Sequence, residues 1–223
     1  MGRRNVVKAI IFDLDGVLLE STEAKTQAFR DLFEDYPEHL NAIVGYHVAN
    51  GGVPRFDKFR QVYATILKEP LSAKRYSFLC DRYSELVVKK VLASPLVEGA
   101  REFLQDYHEQ ALLFVASGTP SDELNYILER VGLMPYFEKA FGSPAPKPEI
   151  VSSILSGWSL SPSEVVLVGD SEVDCLAAEL NGIRFIGRVH TASPSSWQSR
   201  PSLVTVQNLT ELRTRVELVQ RPL

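Results

Sequence analysis

Asp13 and Asp15 stand one residue apart at the end of the apolar run Ile10-Ile11-Phe12, with Gly16 directly behind them. Carboxylates so placed can attack an electrophile, move protons or ligate a cation; they can equally mark an Asp-Gly turn. On this stretch alone a turn suffices. Two further stretches repeat the pattern. Ser117-Gly118-Thr119 follows the apolar run 111–116, and Gly169-Asp170-Ser171-Glu172-Val173-Asp174 follows the run 165–168. If the three runs are parallel strands, Asp13, Ser117 and Asp170 emerge at one edge of one sheet. That is the edge where α/β sheets collect ligands, and a chance turn does not predict the convergence.

The elements that must position these groups are legible in the hydrophobic pattern. Val6 to Phe12 is short, near-continuous and rich in β-branched residues, as a strand buried on both faces should be. From Ser21 to Ala93 the period is helical. One apolar stripe runs through Ala24, Ala28, Phe29 and Leu32, a second through Phe56, Phe59, Val62, Tyr63 and Ile66, a third through Tyr76, Leu79, Tyr83, Leu86 and Val87. Pro37 and Pro54 sit near helix starts, and Gly51-Gly52 breaks the chain between two helices. These stripes are the core-facing sides of a small helical bundle.

After Pro95 strands and helices alternate: a strand at 111–116, a helix from Ser121 to Gly132, a short segment at Ala140-Phe141, and a loop through Lys147 into a helix near Pro148. A strand at 165–168 then leads to a helix ending at Asn181-Gly182, strands at 184–187 and 203–206, and a last helix from Thr210. Residues 188–202, Ser- and Pro-rich, receive no assignment. Such alternation implies an α/β fold, a parallel sheet covered on both faces. The expected division is a catalytic core of residues 1–16 and 95–223 and an inserted helical unit of residues 17–94.

Composition narrows the functional classes. Apolar and charged contents of 45% and 23% are ordinary for a globular protein. A net charge of −4 offers no basic footprint for nucleic acid. No apolar stretch approaches the ~20 residues of a membrane span, and two cysteines, Cys80 and Cys175, are too few for a disulfide framework. A cytoplasmic protein with no nucleic-acid or membrane partner is expected; oligomeric state is silent. A calcium loop, which D-x-D spacing echoes, needs glycine at its sixth position and glutamate at its twelfth. Counting from Asp13 gives Leu18 and Ala24, and from Asp170 gives Cys175 and Asn181, so that reading fails.

Asp13-Leu14-Asp15-Gly16-Val17, Ser117-Gly118-Thr119, Lys147-Pro148 and Gly169-Asp170-Ser171-Glu172-Val173-Asp174 resemble, in order and on the expected elements, the four motifs of the haloacid dehalogenase superfamily. The helical insertion resembles the cap of its phosphoglycolate phosphatase and β-phosphoglucomutase branch. The resemblance implies a Rossmann-like core with an all-helical cap. It also implies a Mg²⁺-dependent phosphatase acting on a small phosphorylated metabolite through an aspartyl-phosphate intermediate.

In the family pattern Asp13 is the nucleophile and Asp15 the general acid–base. Ser117, the Gly118 N–H and Lys147 bind phosphoryl oxygens, while Asp13, the Asp15 carbonyl and Asp170 bind the cation. Asp174 holds one of its waters. Charge arithmetic agrees, because each close pair of acids costs on the order of 4 kcal/mol at an effective dielectric of ~20, and Mg²⁺ suits such all-oxygen sites.

Asp at position 15 points away from the dehalogenases and phosphonoacetaldehyde hydrolases. Mutases of this branch usually carry histidine where this chain has Lys25, which leaves the sugar-phosphate mutase as the alternative and a non-catalytic phosphate-binding regulator as a more distant one. The Gly51-Gly52-Val53-Pro54-Arg55 segment resembles the cap loop that reads the non-reacting end of substrates. Arg55 is therefore expected to set specificity; otherwise it is a surface arginine paired with Asp57 or another nearby acid.

Overall fold

β1 (Ala9–Phe12) lies at the middle of the sheet, and all four of its residues are buried. In the computed structural model, which describes residues 6–190 and 203–219, it pairs in parallel with β2 (Leu112–Pro120) on one side and β4 (Val165–Gly169) on the other. β3 (Lys139–Ser143) lies outside β2, while β5 (Arg184–Arg188) and β6 (Val204–Val206) extend the other wing, giving the order β3-β2-β1-β4-β5-β6, all parallel. The chain leaves β1 for opposite wings on its two sides, so the switch in strand order falls at the end of β1.

The pleat divides the core. Ile10 and Phe12 point to one face with Leu113, Val115, Val166 and Val168; Ala9 and Ile11 point to the other with Phe114 and Leu167. The first face is covered by α5 (Ala100–Tyr107), α6 (Ser121–Arg130) and α9 (Leu212–Val219). The second is covered by α7 (Lys147–Gly157) and α8 (Glu172–Leu180). Burying a Leu, Ile or Phe side chain is worth about 1.5–3 kcal/mol each, which is why these strands read as unbroken apolar runs.

Between β1 and β2 the chain forms α1 (Thr22–Leu32), α2 (Leu40–Ala49), α3 (Arg55–Gln61) and α4 (Ala73–Leu92), with a π-helical segment, Val62–Leu67, continuing α3. Phe29, Phe33, Phe59 and Tyr83 pack ring against ring at the centre of this insertion. Its buried residues run without a gap into Leu14, Val17 and Leu18 beyond β1 and so into the first face of the sheet.

Two boundaries depart from the sequence reading. β2 runs on through Ser117-Gly118-Thr119 to Pro120, with a register irregularity against β3, past the strand end expected at Ala116. α7 starts at Lys147, one residue before Pro148, which takes an early position where a missing N–H costs nothing. Of residues 188–202, left unassigned from sequence, Arg188 closes β5, and 191–202 lie outside the described residues.

Candidate active site

The carboxyl ends of β1, β2 and β4 converge beneath the helical insertion on a cavity of about 270 Å³. Asp13, Asp15, Ser117, Gly118, Asp170, Lys25, Arg55 and Lys58 are among its lining residues. Asp13 leaves β1 nearly buried, its Oδ1 accepting from the Leu14 N–H at 2.7 Å and its Oδ2 lying 3.2 Å from Lys147 Nζ. Lys147, on the first turn of α7, also pairs with Asp174 Oδ1. Asp174 has no exposed surface, and its other oxygen accepts from the Ser171 N–H and hydroxyl at 3.1 and 2.6 Å. It caps α8 and anchors Lys147 at once.

Burial pushes the Asp13 carboxyl well up, against Lys147, and Asp174, Asp170 and Asp15 push it the same way. Burial likewise raises Asp170, against a hydrogen bond from His190, whose Nε2 lies 3.0 Å from its Oδ2. For Lys147, burial is outweighed by Asp13 and Asp174, and its pKa rises.

Asp13, Asp170 and Asp174 each offer an oxygen within 4.8 Å of the others. Such a buried, anionic, all-oxygen set suits a hard divalent cation, which would relieve the repulsion that raises Asp13 and Asp170. Asp174 is the most heavily engaged of the three, with Lys147 on one oxygen and the Ser171 N–H and hydroxyl on the other, so it is the least able to bind an ion directly. The Asp15 carboxylate stands outside the cluster; the resemblance assigns only its carbonyl to the cation.

Asp15 faces the insertion instead. Its Oδ2 accepts from Lys25 Nζ at 2.5 Å and Thr119 Oγ1 at 3.3 Å, and its Oδ1 from Ser21 Oγ at 2.6 Å. Burial opposes ionisation, but the charge of Lys25 and the three donated hydrogen bonds win, holding Asp15 below the usual carboxylate range. Lys25 on α1 thus supplies an interaction that the sequence showed only as a departure from histidine.

Gly16 turns the chain at φ +75°, and a Cβ there would fall 2.2 Å from Asp170 Oδ2. The turn is clamped by Arg188, which donates to the Gly16 carbonyl at 2.9 Å and forks onto Glu20 at 3.0 and 2.5 Å. Gly118 is a second close approach, since a Cβ there would lie 2.7 Å from the carbonyl oxygen of Gly52 in the insertion. The insertion therefore sits directly on the end of β2.

Arg55 lies on the cavity wall but is not a surface residue, and its partner is not Asp57, which pairs with Arg60. Its Nη1 donates to Ser84 and Glu123 at 2.8 and 2.9 Å, its Nη2 pairs with Glu123 Oε1, and its guanidinium lies 4.6 Å above the Tyr83 ring. Lys58 and His47, also on the wall, were missed from sequence. The signal for Lys58 was its position three residues beyond Arg55 on the face that carries Phe59 and Val62.

A family model described as haloacid dehalogenase-like hydrolase matches residues 7–182. The chain belongs to the haloacid dehalogenase-like hydrolase family. Among similar members is a phosphoglycolate phosphatase of Vibrio parahaemolyticus, 30% identical over 194 residues, covering 81% of this chain and 83% of that protein. A phosphorylated carbohydrates phosphatase of Thermotoga maritima is 30% identical over 194 residues, covering 83% and 87%. A crystal structure from Haemophilus somnus 129PT, described as a predicted phosphoglycolate phosphatase, superposes with a TM-score of 0.75 at 19% identity, over 96% of this chain and 99% of that one. The family match spans β1, the whole insertion and α8, so it takes in Asp13, Asp15, Ser117, Gly118, Lys147, Asp170 and Asp174. No helix among the described residues of this family member is long and apolar enough to cross a membrane.

Proposed function

We propose that the protein is a phosphatase of small phosphorylated metabolites, with residues 17–94 acting as a cap over residues 1–16 and 95–223. The carrying observation is the division of labour between two acids. Asp13 sits among Lys147 and the other acids, and Asp15, two residues on, is held separately by Lys25, Ser21 and Thr119. The named activities of the relatives support the same reading.

In this reading an Asp13 oxygen attacks phosphorus, the P–O bond to the leaving alcohol breaks, and an acyl phosphate forms on Asp13. Ser117, the Gly118 N–H and Lys147 hold the phosphoryl oxygens as charge develops. Asp15, which takes up a proton as the anionic phosphoryl group binds beside it, gives that proton to the leaving oxygen, and the carboxylate so formed takes one from the water that attacks the acyl phosphate. Its lowered pKa favours the second task, because the resting carboxylate is already a base. Mg²⁺ held by Asp13, Asp170 and the Asp15 carbonyl, with Asp174 behind, would neutralise acids and phosphoryl oxygens together. Arg55, already satisfied by Glu123 and Ser84, shapes the cavity wall in this scheme.

The deciding experiment is phosphate release with Mg²⁺ over sugar, glycolate, polyol and aryl phosphates, with β-glucose 1-phosphate isomerisation run alongside. Phosphate release that Asp13→Asn abolishes and excess EDTA suppresses is expected. Full activity in Asp13→Asn, or isomerisation outpacing release, would overturn the proposal.

A further inference from the structure

Arg188 closes β5 on the same pleat face as Ile186 and opposite Val206 in the β5–β6 register, and it is buried. A guanidinium set among such apolar neighbours is costly unless its hydrogen bonds are met elsewhere. They are met beyond the next strand. β4 stands between β5 and β1, yet Arg188 reaches past it to the loop that follows β1. Its Nη1 donates to the Gly16 carbonyl at 2.9 Å and to Glu20 Oε2 at 3.0 Å, its Nη2 to Glu20 Oε1 at 2.5 Å, and its Nε to the Gln207 carbonyl at 3.0 Å. Gly16 and Glu20 are the two ends of one loop.

Within that loop the chain folds back on itself. The Leu18 and Leu19 N–H groups donate to the Leu14 carbonyl at 2.9 and 3.0 Å, and the Gly16 N–H donates to the Leu19 carbonyl at 2.7 Å. Just outside its two ends stand Asp15 and Ser21, whose Oγ donates to Asp15 Oδ1 at 2.6 Å. α1 begins one residue later and carries Lys25 to the other oxygen of Asp15. The spacing of this carboxylate from its donors is thus set by how the loop is closed. Both chain crossings between sheet and insertion also meet here, with the Glu20 N–H on the Pro95 carbonyl and the Val97 N–H on the Leu18 carbonyl, each at 3.0 Å. A displacement of the insertion would therefore reach Asp15 unless the loop were anchored to the sheet.

We propose that Arg188 is a positioning residue for Asp15, gripping Gly16 and Glu20 together so that the carboxylate stays where it meets the leaving oxygen. The proposal rests on the phosphatase reading of the cavity and adds a residue to its proton-transfer step. Arg188 does not line that cavity, so it acts through the loop alone. Its planar fork suits the task, because one guanidinium can hold a carbonyl and a carboxylate in fixed directions while an ammonium is a point charge on a flexible stem. A misplacement of only ~1 Å can cost about 10²-fold in rate.

The test is the leaving-group dependence of kcat with Mg²⁺, comparing the best alkyl ester of the substrate panel with p-nitrophenyl phosphate. Arg188→Met should lower the alkyl-to-aryl ratio of kcat roughly tenfold or more, with the KM for the alkyl ester moving less than about threefold, and Arg188→Lys should recover part of the loss. Parallel losses on both esters, or a loss carried by KM, would overturn the positioning role and leave Arg188 a residue of the fold. Arg188→Met leaves Glu20 unpaired, so Arg188→Met/Glu20→Leu, which removes both charges, is made beside it and should show the same fall in the ratio. Amide hydrogen exchange reads the grip without turnover: Gly16, Leu18 and Leu19 should exchange about tenfold faster or more in the double variant while β1 and β4 keep their protection. Unchanged exchange at these amides refutes the grip, and faster exchange with an unchanged ratio refutes its link to Asp15. Failure of the phosphatase reading shows differently, as no phosphate release from any ester by the wild-type protein.

Discussion

The Arg55–Glu123 pair ties α3 of the insertion to the first turn of α6 on the sheet, with side-chain exposures of 5% and 9%. Two charges that far from water cannot be left singly. Removing one partner of a buried pair costs about 3–5 kcal/mol, whereas replacing both by apolar groups of similar volume is near neutral. Glu123→Gln should therefore destabilise by about 3–5 kcal/mol, of which weaker complementing of the α6 dipole supplies about 0.3–1 kcal/mol. Arg55→Met should cost a similar amount, since it strands Glu123 and also removes the guanidinium from the Tyr83 face, a contact worth about 0.5–2 kcal/mol. The double variant Arg55→Met/Glu123→Leu should be more stable than either single one. Urea unfolding of the four proteins measures the coupling directly, and for a chain of this size each kcal/mol is about 2–4 °C in Tm. A Glu123→Gln loss below about 1 kcal/mol, or single losses that simply add, would show that the pair is solvated and that Arg55 is free for another task.

Three other outcomes follow from the site. Asp15→Ala should slow hydrolysis of alkyl phosphates by roughly 10²–10⁴-fold and aryl phosphates far less, because only a poor leaving group needs its proton; equal losses would reassign Asp15 to positioning. Lys25→Met removes the charge that holds Asp15 down, so the acidic limb of the kcat profile, where Asp15 becomes protonated and stops serving as base, should move to higher pH; an unmoved limb would refute the pairing. Lys58 has its folded pKa lowered from 10.5 to about 7, so the unfolded chain binds more protons between those values, and wild-type stability should gain as pH rises through that window. The extra stability of Lys58→Met, on the order of a few kcal/mol at and below pH 7, should accordingly shrink toward pH 10, as thermal melts across the range would record.

The strand-end groups were legible because chemistry and backbone coincide there: an apolar run cannot continue through Asp13 or Asp170, so the acids mark the edge at which the sheet stops. The three helical stripes were legible for the same reason, with Phe29, Phe59, Leu79 and Tyr83 all buried as their spacing requires. What stayed hidden was pairing across the insertion. Arg55 read as a specificity residue or a surface arginine beside Asp57, and its partner lies 68 residues away at Glu123, a separation no local rule reaches. Lys25 appeared only as a missing histidine until Asp15 was seen against it. Lys58 was passed over because a lysine among apolar residues is usually a solvated stem, and nothing local says that this one is buried. Arg188 closing the Gly16 turn came from a stretch that composition left blank.

The position of β1 in the sheet has a consequence for how the protein is made. The strand that carries Asp13 leaves the ribosome well before its partners, which begin at Leu112 and Val165, and Lys147 and Asp174 follow the insertion as well. Until β4 has emerged, the central strand has an unpaired edge and Asp13 has no complete surroundings. Until then the nascent chain carries an apolar strand and a carboxylate without their full set of neighbours, while the insertion, whose helices need only local contacts to begin forming, can collapse early beside them. Assembly of the site waits for β4 and α8, and a ribosome stalled before Val165 would hold a helical bundle with the carboxylate cluster beneath it incomplete.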